Sequence, residues 1–599
     1  MTIRLSLLSL TVAANWFAAG LLHAQTDQKV ESKDSIKPAW LAASPLESPA
    51  DALESPQEKE GSAQAKAMES TIAGGQATAQ IDVGTVHKYL HASDTAPALA
   101  DDYHPWWEAT ATKSFQLSPY SMVVQSDMLI LSALRHSPRI AALNENVTIA
   151  NTSITRAAAE FDPTAFVESR FVRTSVPTGS SLEAGVNRDR LREENFSMSG
   201  GLRRRTETGA QFEIGQQIGL RDSNSQFFTP ANQGNSRLTL SFDQPLLNGA
   251  GKAINCSLIV LAKIDTQIAI ENTTTVVQDH LLAVNEAMWN LYFQRTSLLL
   301  RIRHLELATA IHDWLENRQD LDALTSQVKR AEAAVATRKS ELARAVTAIR
   351  NAEDQLRVLV SSPELTQDQS LEIIPARPPS LAYFPVSLED AVVTALQQRS
   401  EINQVARQLD AARVRMRIAR NEMLPMLDLV LETYVSGLRG QNDISQSWVD
   451  QFSVGEPSYS AGLLFEVPLY RRAAKANVQR RQAELRQLAD QMSQTIQQLH
   501  AEVAAAVREV ETSYREMNAR YIAMVSAEDY MELISRRWRE LPGEGDSSNL
   551  LLDDLLNSQD RLLVEEVKFA QSQIDYALST TRLKRATGSL LQIQPAVPY

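Results

Sequence analysis

FDQPLLNGAGKAIN (Phe242–Asn255) and FEVPLYRRAAKANV (Phe465–Val478) set out the same junction twice in one chain. In each, an alternating apolar run reaches a proline, and an Ala-, Leu- and charge-rich segment of helical pattern follows. Proline has no N–H to give to a ladder or a helix interior, so it is tolerated at a strand end or in the first turn of a helix. Pro245 and Pro468 therefore read as strand-to-helix crossings.

Outward from these junctions the chain repeats itself. An ungapped shift of 223 residues lays Phe242, Pro245, Leu246, Ala250, Lys252 and Ala253 on Phe465, Pro468, Leu469, Ala473, Lys475 and Ala476. A shift of 262 lays Ala133, Leu134, Ile140, Ala157 and Pro163 on Ala395, Leu396, Ile402, Ala419 and Pro425. Pro163 and Pro425 follow predicted helices over Ser126–Glu160 and Ser387–Glu422, where the missing N–H and the restricted preceding residue turn helix into extended chain. Both halves share one plan of helix, proline, strands, proline and long helix.

Between the prolines the pattern has period two. Phe212, Ile214, Ile218 and Leu220 alternate with Glu213, Gly215, Gln217 and Gly219; Phe196, Met198 and Leu202 form a second apolar row, and Leu427, Leu429 and Leu431 a third. Strands apolar on one face and polar on the other, at this length, suit a membrane barrel. A soluble sheet with one wet face fits any single strand equally well, and it is the framing by long helices behind an export signal that favours the barrel. The first proline pair is separated by 82 positions and the second by 43, so the first half has room for about two more strands. SVPTGSSLEAGVNRDRLREE and RDSNSQFFTPANQGNS read as outer loops and RRTETG as a short turn at the helical end.

The helices predicted from Lys252 to about Asp313 and from Arg471 to Arg537 run some 60 residues or more, each about 90 Å long. Their return segments carry seven-residue series: Val328, Val335, Leu342, Ile349 and Leu356, then Leu555, Leu562, Phe569, Tyr576, Leu583 and Leu590. Such stripes pack as coiled coils. Each half is thus an antiparallel hairpin, with tips near Asn317–Leu324 and Pro542–Asn549.

The 599 residues have a formal charge of −13 and no basic stripe, which argues against a nucleic-acid partner. Residues 1–24 read as a signal peptide, with an uncleaved anchor as the alternative, and residues 25–115 as a flexible periplasmic arm. The lone Cys256 excludes an internal disulfide and a lipidated cysteine after the signal. His87, His91 and His104 read as solvated rather than as metal ligands. GAGK at Gly249–Lys252 lacks the first glycine and the hydroxyl residue of a phosphate loop. No metal, cofactor or enzyme motif appears, so neither a catalytic role nor a cofactor is expected.

FDP at Phe161–Pro163, QPLLNGAG at Gln244–Gly251, VPLYRRAAKANVQRRQAEL at Val467–Leu485 and LKRATGSL at Leu583–Leu590, in this order behind a signal peptide, resemble the TolC-type outer-membrane efflux proteins. The resemblance spans about Ser126 to Leu591. It implies an α+β membrane protein, a homotrimer whose transmembrane β-barrel continues into a long antiparallel coiled-coil α-barrel. The chain then divides into a first repeat over 116–362, a linker over 363–386, a second repeat over 387–591 and a tail over 592–599.

Pro163, Pro245, Pro425 and Pro468 become the β-to-α barrel junctions. The implied function is an outer-membrane duct for tripartite efflux or type I secretion, surrounded by outer-membrane lipid and working with a periplasmic adaptor and an inner-membrane pump. Counting back from LKRATGSL places the family's narrowing aspartates on Asp554 and Asn557; a solvated outer helix face is the alternative role for Asp554. Arg318, Asp320, Asp322, Pro542, Gly543 and Gly545 are the implied adaptor-contact tips. The extra length in the first half suggests six strands per protomer and 18 per trimer, against the family's usual four and 12. The reading from another class is a periplasmic coiled-coil scaffold or adaptor without a channel.

Overall fold

The computed structural model describes residues 103–178, 190–318, 323–540 and 546–591. In chain order the principal elements are β1 (Ser121–Val124), α1 (Ser126–His136), α2 (Pro138–Ala158), β2 (Thr164–Pro177), β3 (Arg190–Arg205), β4 (Gln211–Ser223) and β5 (Asn232–Pro245). Then follow α3 (Ser257–Glu316), α4 (Thr325–Val360), β6 (Glu372–Pro375), α5 (Leu388–Gln398), α6 (Ser400–Asn421), β7 (Met426–Gly440), α7 (Ile444–Ser453), β8 (Ser458–Glu466), α8 (Arg472–Glu540) and α9 (Asp546–Ala586).

The two proline-framed stretches join into one six-stranded antiparallel sheet, ordered β2-β3-β4-β5-β7-β8. β3 and β4 run the full height of their neighbours: β3 pairs with β2 from Thr164↔Arg203 to Pro177↔Arg190, and β4 with β5 from Gln211↔Asp243 to Asp222↔Asn232. The extra length of the first half is therefore two whole strands, and RRTETG turns at the helical end: the Gly251 N–H donates to the Thr208 carbonyl at 3.0 Å.

α3 and α8 are 60 and 69 residues long, and α4 and α9 return along them. Both seven-residue stripes are the packed seams. Ile349 and Leu356 are fully buried in the first hairpin, and Leu555, Leu562, Phe569 and Tyr576 are buried in the second. Burying a Leu or Phe contributes about 1.5–3 kcal/mol each, so these seams hold the hairpins closed.

Three expectations need correction. The helices expected to be continuous over Ser126–Glu160 and Ser387–Glu422 each break, at Ser137 and at Arg399, which share an extended backbone (ψ 119° and 121°). Pro138 explains the first break, because it starts α2 without an N–H. The second has no proline; Arg399 is instead held at 2.9 Å from both Glu401 and Glu502. Ser137 and Arg399 are themselves 262 residues apart, so the break belongs to the repeat.

The arm expected over 25–115 ends earlier than expected, because its described part, from Tyr103 on, is packed. Trp107 is buried against Phe569, with ring centroids 6.2 Å apart. Its aromatic residues find a hydrophobic crevice between helices that no local pattern reveals. The stretch 363–386, expected to be a linker, supplies β6, which pairs in parallel with β1 and buries Ile373 and Ile374. The expected signal peptide, the tail over 592–599, His87 and His91 lie outside the described residues. Among the described residues no helix is long and apolar enough to cross a membrane, which says nothing of strands.

Candidate functional site

The sheet sorts its side chains by chemistry. In register, Phe196 pairs with Leu220, Met198 with Ile218, and Leu202 with Ile214; the row continues through Leu240, and Phe212 extends through Phe242 to Leu431. Val167 and Phe171 on β2, with Leu463 and Phe465 on β8, complete this face, and each of these four is more than 60% exposed. The opposite face carries Glu168, Arg170, Arg203, Glu213, Arg237, Asp243, Asp428 and Glu432. Large apolar side chains left open on one face, against charged ones on the other, are the reverse of what water selects. β2 and β8 each pair on one side only, so both sheet edges carry unpaired backbone groups.

Where sheet meets helices, the four prolines come together in a polar belt. Pro163 follows the turn Ala159–Phe161, Pro245 closes β5, Pro425 precedes β7, and Pro468 lies between β8 and α8. The halves are stitched here: Leu246 N–H donates to the Leu427 carbonyl at 2.7 Å, and Asn248 N–H to the Pro425 carbonyl at 3.2 Å. Asn421 Oδ1 accepts from Gly249 N–H at 2.7 Å, and Asn255 Nδ2 donates to the Gly249 and Gly251 carbonyls at 2.8 and 3.0 Å. Gly249 and Gly251 adopt φ of +79° and +93°, which explains the GAG of the motif: it is a turn and not a phosphate cradle. Arg205 pairs with Glu160 and donates to Asn255 Oδ1 at 2.9 Å. Cys256 caps the start of α3, half-buried.

At the far end of α9, Asp554 and Asn557 sit three residues apart on its exposed side, while Leu551, Leu552 and Leu555 fill the seam. Their neighbours are engaged. Asp553 pairs with Arg330 at 2.6 Å, and Asp560 lies 2.9 Å from Arg338 and 3.0 Å from His304 Nε2. The hydrogen bond with His304, against burial and aided by Arg338, holds the Asp560 carboxyl below the usual range. Burial draws the Arg338 guanidinium down, partly offset by Asp560. Of the expected tip residues, Arg318 stacks on Trp314 with its guanidinium 4.6 Å from the ring centroid. Asp320, Asp322, Pro542, Gly543 and Gly545 lie outside the described residues.

Two constellations escaped the sequence reading. Arg295 and Glu372 form an ion pair at 2.8 Å with both side chains fully buried. Arg295 Nε also donates to the Ala111 carbonyl at 2.9 Å, and Glu372 accepts from Phe115 N–H at 2.9 Å and Ser114 Oγ at 2.8 Å. This pins residues 111–115 between α3 and β6. Burial alone would raise Glu372, but Phe115, Arg295 and Ser114 outweigh it and hold the carboxyl low. Nothing in the local sequence joins residues 77 apart, which is why spacing did not find the pair. The second is a tip-side group, His312, Asp313 and Glu316, whose ligand atoms lie within 4.8 Å of one another on the surface of α3. Such acidic surface groups are ordinary at helix ends. Among the described residues, His104 bonds to Glu108, at 3.1 Å.

The sheet, apolar on one face and charged on the other, is carried on two helical hairpins. Residues 391–589 match the family described as outer membrane efflux protein. No curated protein matches the chain. Among solved structures, the outer-membrane channel OprN aligns with a TM-score of 0.55 at 15% identity over 83% of this chain and 97% of its own. VceC, an outer membrane protein of Vibrio cholerae, gives 0.55 at 16% identity over 77% and 96%. MtrE, an outer membrane channel of Neisseria gonorrhoeae, gives 0.54 at 15% over 83% and 98%. At these identities the likeness is one of fold, over 77–83% of the chain.

Proposed function

We propose that the chain is one subunit of a homotrimeric outer-membrane duct, exporting substrates through a tripartite efflux or type I secretion system. The observation that carries this reading is the six-stranded sheet, with a large exposed apolar face, a charged opposite face and two unpaired edges. A sheet in lipid must close to satisfy its backbone. β8 of one protomer meeting β2 of the next closes three sheets of six into a barrel of 18 strands, apolar outward and charged toward the lumen. The hairpins then extend into the periplasm as an α-barrel, with the belt at Pro163, Pro245, Pro425 and Pro468 as the transition.

Three copies of Asp554, with Asn557 one turn away, form the ring that narrows the inner mouth; a carboxylate ring favours cations. The hairpin tips, including Arg318, Asp320, Asp322, Pro542, Gly543 and Gly545, meet a periplasmic adaptor, which couples the duct to an inner-membrane pump. The duct itself performs no chemistry and needs no cofactor. Reconstitution of the purified protein into planar lipid bilayers tests this: stepwise conductance supports the duct, and its absence from correctly assembled protein returns the chain to the scaffold class.

A further inference from the structure

α7, between β7 and β8, is amphipathic in the reverse of the usual sense. Its buried residues are Ser447, Asp450 and Gln451. Trp448, Val449 and Phe452 point away from the protein and are 48, 47 and 56% exposed. A helix lying on a body in water turns its apolar stripe inward. Here the inward side is polar and fully engaged. Ser236 Oγ donates to the Ser447 carbonyl at 2.8 Å, and Ser447 Oγ to the Gly437 carbonyl at 2.7 Å. Gln216 and Gln451 exchange amide hydrogen bonds at 3.2 Å, and Arg439 pairs with Asp450. The seat is built for close approach, since a Cβ on Gly437 would come within 2.0 Å of the Ser447 carbonyl oxygen.

The position of that seat identifies the medium outside it. Gln216, Ser236, Gly437 and Arg439 lie on the same sheet face as Ile214, Leu240 and Phe242, continuing that apolar face toward its loop end. α7 therefore covers the polar patch of an otherwise apolar face and replaces it with Trp448, Val449 and Phe452. It rests on β4, β5 and β7, away from the unpaired edges on β2 and β8, so a neighbouring protomer joined at those edges does not cover it. The Trp448 and Phe452 rings pack edge to face with centroids 5.4 Å apart, a compact aromatic pair of the kind enriched at membrane interfaces.

We propose that α7 lies against the outer-leaflet acyl chains, a lipid-facing helix seated on the outside of the barrel that places Trp448 and Phe452 at the hydrocarbon–headgroup boundary. The proposal rests on the barrel reading above.

The test is quenching of tryptophan emission in the full-length protein reconstituted into phosphatidylcholine vesicles with or without brominated acyl chains. The difference between native protein and Trp448→Phe isolates Trp448, and Leu431→Trp in the Trp448→Phe background reports on the sheet's apolar face. We expect bromination to cut the Trp448 emission about twofold or more, with quenching at the Leu431→Trp position as well. Unquenched Trp448 beside a quenched Leu431→Trp reporter puts α7 against water or protein and overturns the proposal while the barrel stands. An unquenched Leu431→Trp reporter removes the lipid-facing sheet, and with it both readings.

Discussion

Asp560 and Arg338 bridge the two halves near the proposed inner mouth, and their unequal exposure predicts an order of mutant effects. Arg338 is buried and donates to the His304 carbonyl at 3.0 Å, to Gln559 Oε1 at 2.8 Å and to Asp560 Oδ1 at 2.9 Å. The Asp560 side chain is 60% exposed. Arg338→Met removes the buried charge, fills its volume with an apolar chain and leaves a carboxylate that water can solvate. The loss is that of the His304 carbonyl and the buried Gln559 Oε1 left without their donor, about 1.5 kcal/mol. Asp560→Ala instead strands a buried guanidinium without its counter-charge. Breaking a buried pair in this way costs about 3–5 kcal/mol, and solvent access on the Asp560 side places it at the lower end, about 3 kcal/mol.

Backbone hydrogen exchange of residues 555–563 in the solubilised oligomer reads these as local opening. The expected acceleration is roughly tenfold for Arg338→Met and roughly a hundredfold for Asp560→Ala. Because the Asp560 carboxyl is held low, its contribution is complete above the ordinary aspartate range, near pH 3.9, and is lost as pH falls through the depressed value. Both effects belong to neutral pH and fade in strong acid. A larger effect of Arg338→Met than of Asp560→Ala, or none from either, refutes the reasoning.

In single-channel recordings, Asp554→Ala is expected to reduce cation selectivity and Asn557→Asp to increase it, and unchanged selectivity in both removes these residues from the mouth. In a Cys256→Ser background, Thr206→Cys is expected to resist impermeant thiol reagents added outside intact cells, because its turn packs against the junction belt; rapid labelling places that turn outside. Glu372→Gln is expected to free the segment around Trp107, read as a red shift and faster proteolysis near residue 113; in the native protein the same release appears only as pH falls below the ordinary glutamate range, near 4.3, because the folded carboxyl is held low. Phe569→Ala, at a fully buried seam position under Trp107, is expected to cost about 3–5 kcal/mol by chemical denaturation.

Much of the architecture is legible because it is periodic. The seams from Val328 to Leu356 and from Leu555 to Leu590 announce themselves at seven-residue spacing, and the rows through Phe196 and Ile214 at two. The junction prolines carry their own stereochemistry, and the internal repeat doubles every signal. What is not periodic stays hidden. The β1–β6 pair joins two four-residue strands from distant parts of the chain, and Arg295 meets Glu372 only once α3 has packed against β6. The break at Arg399 lacks the proline that marks its counterpart at Ser137 and depends on carboxylates from α6 and α8. α7 is hidden for another reason: its polar residues face a sheet that is itself turned outward, so helix periodicity is present but points opposite to expectation.

The central claim is that this sheet is one third of a closed barrel in the outer membrane. Fractionation of the expressing cell, followed by mass measurement of the detergent-extracted species, tests it most directly. The account predicts recovery with the outer membrane as a detergent-resistant complex of three chains. A buffer-soluble single chain would contradict it.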